Sequence, residues 1–419
     1  MADYKKKRVH HKSSRRAVQH SADIPMSSTA TRRKSGGIKV VKGKKLERQR
    51  RFRIVATASA VLVAAVIVLS ILLPVGLIEN ITNLTALGGM GSYPYEIYGT
   101  QILNTVSRGN YYYVLTDTNL VASTNGGNII YTRAHGFSKP VISVSETRAL
   151  IFDQGGTDVN VYNLSKQVCD VTLDGAVITA SVSRSGAFAV AYESDSYAAS
   201  VAVFDKRGQK LYEWNSAKEL VNCVELSPSG KRLAVSTIGV SGGKYTARVM
   251  VFTYDSADPV FTKEFSDDTV LALDSLSSRG FSVVTAREYS FVSWKKNEAT
   301  DIQSELEPAM YRSSKGGALI VYNRSGDRGD NKIVLLSKRG KKVSEISFSG
   351  IISDIALAHG HIYCISDTGV YMLDKEGQLM RKAECGYGTT HLAVTGTYSV
   401  AAVSSGEVES VELRKSEGN

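Results

Sequence analysis

Two hydrophobic patterns divide the chain. Residues 54–78 read IVATASAVLVAAVIVLSILLPVGLI, an apolar run without a charged residue. From Tyr93 onward, short segments rich in Val, Ile, Tyr, Phe and Ala alternate with clusters of Gly, Ser, Asn and Asp. The first pattern predicts a membrane-spanning helix, because at ~1.5 Å per residue it exceeds the ~30 Å hydrocarbon core of a bilayer. Pro74 and Gly76 lie near its end, where such a helix tolerates them. The second pattern predicts short strands with a turn about every 8–12 residues. Only at 305–311 does the pattern leave room for a helix longer than a turn.

The strand region repeats. A strand, a Ser-x-x-Gly turn and a second apolar strand recur as Val182-Ser183-Arg184-Ser185-Gly186, as Leu226-Ser227-Pro228-Ser229-Gly230 and as Leu276-Ser277-Ser278-Arg279-Gly280. Weaker copies surround Gly109 and Gly396. Seven steps separate those two glycines, about 41 residues each, which is the period of a four-stranded propeller blade. Each repeat then adds a third strand, a turn such as Lys206-Arg207-Gly208, and a fourth strand. The expected fold is therefore an all-β, eight-bladed β-propeller, with seven blades and a partial repeat as the alternative. The last repeat lacks its final strand, and residues 93–98 are the natural donor that would close the ring.

Charge sharpens the division. Residues 1–53 hold 18 Lys or Arg against three acids, whereas the remainder holds 33 against 37. A uniformly basic protein would point to nucleic acid. Here the excess is confined to a tail with few large apolar residues, so nucleic acid is not the expected partner. That tail cannot bury enough surface to fold alone and is expected to be disordered. Its basic flank places it inside the cell, with the strand domain outside. The long flanks and apolar run favour an uncleaved signal anchor over a cleaved signal peptide. The expected organisation is a cytoplasmic tail over 1–53, a single span over 54–78, a linker over 79–92 and an extracytoplasmic propeller over 93–419. The tail's charges either fix this topology or bind anionic lipid headgroups as well. Asn80-Ile81-Thr82 and Asn83-Leu84-Thr85 match the N-glycosylation pattern, which matters only in a eukaryotic secretory pathway.

The segments SPSGKRLAVST, VAVFDKRGQKLYEW and GVYMLDKEGQL resemble blades of WD-repeat-like and quinoprotein-like propellers, over roughly residues 93–413. The order of basic tail, single helix and degenerate propeller is similar to an uncharacterised family of membrane-anchored proteins of Gram-positive bacteria. This resemblance implies a fold and a placement in the cell envelope, and no activity. The chain lacks the Gly-His and Trp-Asp pairs of WD repeats, and the tryptophan-docking repeats and vicinal cysteines of quinoprotein dehydrogenases. No quinone or other cofactor is expected.

Candidate chemistry is sparse. Cys169, Cys223, Cys364 and Cys385 are scattered without metal-binding or disulfide-framework spacing. The sequence holds no Gly-x-Ser-x-Gly elbow, His-Glu-x-x-His or phosphate-binding loop. His359-Gly360-His361 falls on an expected turn, and Arg328-Gly329-Asp330 reads as a polar loop. Neither catalytic nor metal-binding residues are assigned. What remains is a binding surface. Three repeats lengthen the connection between their second and third strands, at 193–197, 239–245 and 323–331. Such connections emerge on one face of a propeller, and insertions collected there mark a binding face. The residues expected to work there are Tyr197, Lys244, Tyr245, Arg324 and Arg328. The expected role is a membrane-tethered module for an extracytoplasmic protein or cell-envelope component. The alternative is a glycan-active or dehydrogenase-like enzyme, which a channel gathering two or more carboxylates or a His cluster would favour.

Overall fold

The computed structural model describes residues 52, 54–57, 59, 61, 82–89, 91–296, 298–324 and 328–415. The chain divides into two compact units, 1–72 and 73–419. In the first, the described residues are helical. Among the described residues no helix is long and apolar enough to cross a membrane, and the span expected over 54–78 lies largely outside them.

The second unit is an eight-bladed β-propeller. Seven blades take consecutive strands, over 102–134, 140–172, 177–216, 220–266, 270–303, 308–349 and 352–383. The eighth combines His391–Val394, Ser399–Ser404 and Glu407–Glu412 with Tyr95–Glu96 from the other end of the sequence. Tyr95 pairs with Val408 and Glu96 with Glu407, so the donor strand expected near 93–98 closes the ring. Arg414–Lys415 then adds a fifth strand to the outer edge of blade 7. The seven-bladed alternative is excluded. The helix allowed at 305–311 is also corrected: Pro308–Ser314 is the first strand of blade 6. Pairing of Arg312 with Leu319 and of Tyr311 with Ile320 outweighs local helix preference there.

The apolar residues form eight clusters, one at each interface between neighbouring blades. Blades 3 and 4, for example, join through Ala189, Val201, Val203, Val224 and Leu233. Blades 8 and 1 join through Tyr112, Val114, Ala401 and Val403. This arrangement explains why second strands such as Tyr111–Thr116, Phe188–Tyr192 and Gly280–Thr285 are buried along their whole length: both their faces are covered.

The turn between third and fourth strands follows from its sequence. In Asp205-Lys206-Arg207-Gly208-Gln209, the Asp205 Oδ1 accepts from the amides of Arg207 (2.8 Å) and Gln209 (2.9 Å). Asp374 does the same for Glu376 and Gln378. The glycine takes positive φ, 85° at Gly208 and 87° at Gly377.

Candidate functional site

All strands within a blade are antiparallel, so the connections emerge on two faces. The first-to-second and third-to-fourth connections share one face. The second-to-third connections and the links between blades share the other. The three lengthened connections all lie on that second face, in blades 3, 4 and 6.

They differ in how they are built. In blade 4 the second and third strands extend to nine residues each, Leu233–Ser241 and Lys244–Phe252, joined at Gly242-Gly243 with φ 60° and 77°. This hairpin carries Lys244, exposed, and Tyr245, 63% exposed. Tyr197, 46% exposed, sits on the neighbouring blade 3. Arg328 is exposed on blade 6, beyond the two-residue connection of blade 5. Arg324 is only half exposed: its guanidinium donates to Ser347 Oγ (2.9 Å) and lies 3.6 Å from Asp330. Two tyrosines and a lysine thus lie on adjacent blades, with the two arginines apart from them.

A second cluster lies around the axis, and sequence reasoning missed it. The first strands of successive blades adjoin one another in a closed ring. At matching register positions these strands place Val106, Ser143, Ser181, Glu225, Asp274, Arg312, Ala356 and Ala393. Polar and charged groups therefore occupy blades 2 to 6, and apolar ones the rest. Ser181 Oγ donates to Glu225 Oε2 at 2.8 Å. Burial pushes the Glu225 carboxyl well above its usual range, and the Asp274 carboxylate adds to the effect. The Ser181 hydroxyl and the amides of Leu226 and Ser275 partly offset it. Burial raises Asp274 too, against the Ser313 hydroxyl and the charge of Arg108 on the opposite blade.

Next along the ring, Arg312 Nε lies 3.1 Å from Asp354 Oδ1. Asp354 is nearly inaccessible and also accepts from the amides of Ile355 (2.9 Å) and Leu392 (3.1 Å). It therefore clamps blades 6, 7 and 8 together. His391 lies near this pair, and burial lowers its pKa. The signal was present in the sequence as one ionisable residue inside each of four otherwise uncharged first strands: VNCVELS, LALDSLS, AMYRSS and ISDIALA.

The axis is therefore polar over blades 2 to 6. It carries a carboxyl pair that retains protons beyond the usual range, which could give or take a proton. Among the described residues no group of three or more His, Cys, Asp or Glu could hold a metal ion. His359 adopts φ 49° on the turn expected for it.

Solved structures of this fold are numerous, with 815 matching chains. The Dos1 propeller aligns with a TM-score of 0.54 at 10% identity, over 80% of this chain and 97% of that one. BamB from Moraxella catarrhalis aligns at 0.50 and 12%, over 77% and 99%. The dihydro-heme d1 dehydrogenase NirN aligns at 0.50 and 15%, over 78% and 79%. At these identities the likeness is one of fold. Comparison with curated proteins finds no match. Residues 95–413 match one family, and the chain belongs to it: the family of unknown function DUF5711.

Proposed function

We propose that the protein is a membrane-tethered, extracytoplasmic binding module of the Gram-positive cell envelope. Residues 54–78 would form its single span, and a protein or envelope component would be its partner. The observation that carries this reading is the gathering of the three long connections on one face, with Tyr197 and Tyr245 exposed on adjacent blades. Exposed tyrosines on a rigid scaffold are suited to recognition, since they offer large contact area at little entropic cost. The apolar run with its basic flank supports the anchor. The test replaces Tyr197, Lys244, Tyr245, Arg324 and Arg328 together by Ala or Ser and compares partners crosslinked on intact cells. Loss of partners with unchanged melting supports the reading, and full retention by the folded variant sinks it.

One observation favours the second reading, an extracytoplasmic enzyme: the Glu225–Asp274 pair. Turnover of envelope glycan fragments or of a hydride donor, abolished in Glu225→Gln with the fold intact, would establish it. Equal rates in both proteins would reject it.

A further inference from the structure

The two faces of the propeller differ sharply in charge. Among the described residues, the first-to-second and third-to-fourth connections hold 15 Lys or Arg against seven Asp or Glu. The connections of the opposite face hold five against 11. The near-neutral propeller is therefore electrically bipolar. The densest basic groups are Lys206-Arg207, Lys231-Arg232, Lys295-Lys296 and Lys338-Arg339-Gly340-Lys341, and all their basic side chains are exposed or half-exposed.

Exposed aliphatic side chains rim the same face. In three blades the outermost strand carries one inserted residue that bulges the pairing, Leu211, Val343 or Met380. These are 52%, 50% and 45% exposed. Basic groups interspersed with exposed aliphatics are what the interface of an anionic bilayer accepts.

The chain also reaches the propeller on this face. Tyr95–Glu96 runs from the basic side toward the other, as Tyr95 pairs with Val408 and Ile97 N then bonds Gly406 O. Before it, Tyr93 Oη donates to Asn125 O, in a turn of the basic face. Residues 82–86 form a turn of helix that, with Asn128, Ile129, Leu164 and Ser165, lines a shallow depression of about 440 Å³ on this face.

We infer that the basic face of the propeller docks on the anionic lipid surface of the membrane, leaving the acidic, loop-bearing face turned outward. The inference rests on the anchor reading above. Only three residues lie between 78 and 82, so a span ending near 78 leaves the basic face little distance to cover. Docking on this side would also give the outward face a fixed orientation.

The test uses the full chain in nanodiscs of phosphatidylcholine with and without phosphatidylglycerol, with lysine acylation followed by mass spectrometry. Lys206, Lys231, Lys338 and Lys341 are expected to react about fivefold more slowly in the anionic discs, as about 1 kcal/mol per basic group implies. Lys139, Lys218 and Lys244 on the other face should react equally in both. High salt should erase the difference. Charge reversal at Lys206, Arg207, Lys338, Arg339 and Lys341 should return Lys231 to its unprotected rate. Carbonate-resistant association with the discs reports the anchor separately. A chain that resists carbonate yet shows equal rates on both faces overturns the docking while leaving the anchor intact. A chain extracted by carbonate sinks the anchor, and its lysine pattern on anionic vesicles still decides the docking. Protection of the basic face by a soluble protein or polyanion, but not by lipid, assigns the face to another occupant and overturns the inference.

Discussion

Tyr95 and Tyr112 share a hydrogen bond of 2.7 Å between their hydroxyls, and through it the donated strand of blade 8 is fastened to the second strand of blade 1. Tyr93 adds a third hydroxyl to the same group, 3.0 Å from that of Tyr112. The ring is thus closed both by backbone pairing and by a polar knot beneath it.

Removing residues 93–98 should therefore lower the melting temperature and broaden the transition, because it exposes the edge of Glu407–Glu412 and the Tyr112 side chain. Tyr112→Phe is the finer test. It removes two hydroxyl–hydroxyl bonds, leaving Tyr93 bonded to Asn125 O, and should cost about 1–3 kcal/mol in denaturant unfolding. An unchanged curve for both variants would reject closure by this strand.

The turn glycines are not equivalent. A Cβ on Gly340 would stand 2.3 Å from Phe291 Cβ of the preceding blade, in a backbone already at φ 70°. At Gly109, φ 66°, it would meet nothing within 4 Å. Gly109→Ala should thus cost about 1 kcal/mol, for the left-handed conformation alone. Gly340→Ala should cost roughly 2 kcal/mol more, since the blades must part to admit the methyl group. Equal losses in chemical denaturation would contradict this account of blade packing.

Asp354 is the buried charge with most at stake. Its removal leaves the Leu392 amide without that acceptor and the Arg312 guanidinium without its carboxylate. Asp354→Ala should destabilise by about 1–3 kcal/mol, the range for leaving buried donors without an acceptor, because the Arg312 side chain that remains is 38% exposed and can be solvated. Replacing both Arg312 and Asp354 by Leu should cost less than Asp354→Ala alone, which a double-mutant cycle measures directly.

The axial carboxyls predict a pH dependence of definite sign. Burial raises Glu225 and Asp274, so the folded state holds protons that the unfolded chain has released. Below the unfolded carboxylate range both states are protonated and the contribution is fully present. Stability should then fall as pH rises from about 4 through the folded pKa values. Glu213 works the other way, because its bonds to Lys210 and Tyr192 lower its pKa. Its contribution is present above the unfolded value and disappears in acid. Unfolding followed from pH 4 to 9 should show Glu225→Gln with a flatter alkaline slope than the parent. Identical slopes would mean that Glu225 is ionised in the fold.

The fold was largely legible because its determinants are local and repeated. The Asp-x-x-Gly turns bond their own backbone, so the motif identifies the third-to-fourth turn without tertiary information. The period then counts the blades, and the missing eighth strand could be sought at the other terminus. Residues 305–311 misled because Glu305, Leu306 and Glu307 favour helix, while the pairing that makes Pro308–Ser314 a strand comes from residues further along. The axial cluster was hidden for a different reason. Glu225, Asp274, Arg312 and Asp354 stand in different repeats, and only ring closure makes them neighbours. The arginines at 324 and 328 looked alike in sequence, yet Arg324 is held by Ser347 and Asp330.

The position of Tyr95–Glu96 also sets a timetable. Among the propeller strands, synthesis delivers this one first and its partner, Glu407–Glu412, only after the strands of the seven other blades, so for most of the domain's elongation the opening strand has no ladder to join. Blades can stack in order as they emerge, each on the one before, but blade 1 keeps an uncovered flank until the final segment arrives. A product cut short by premature termination would stay an open arc with two adhesive edges, and would be an early target for proteolysis. The closed ring therefore depends on the arrival of Glu407–Glu412.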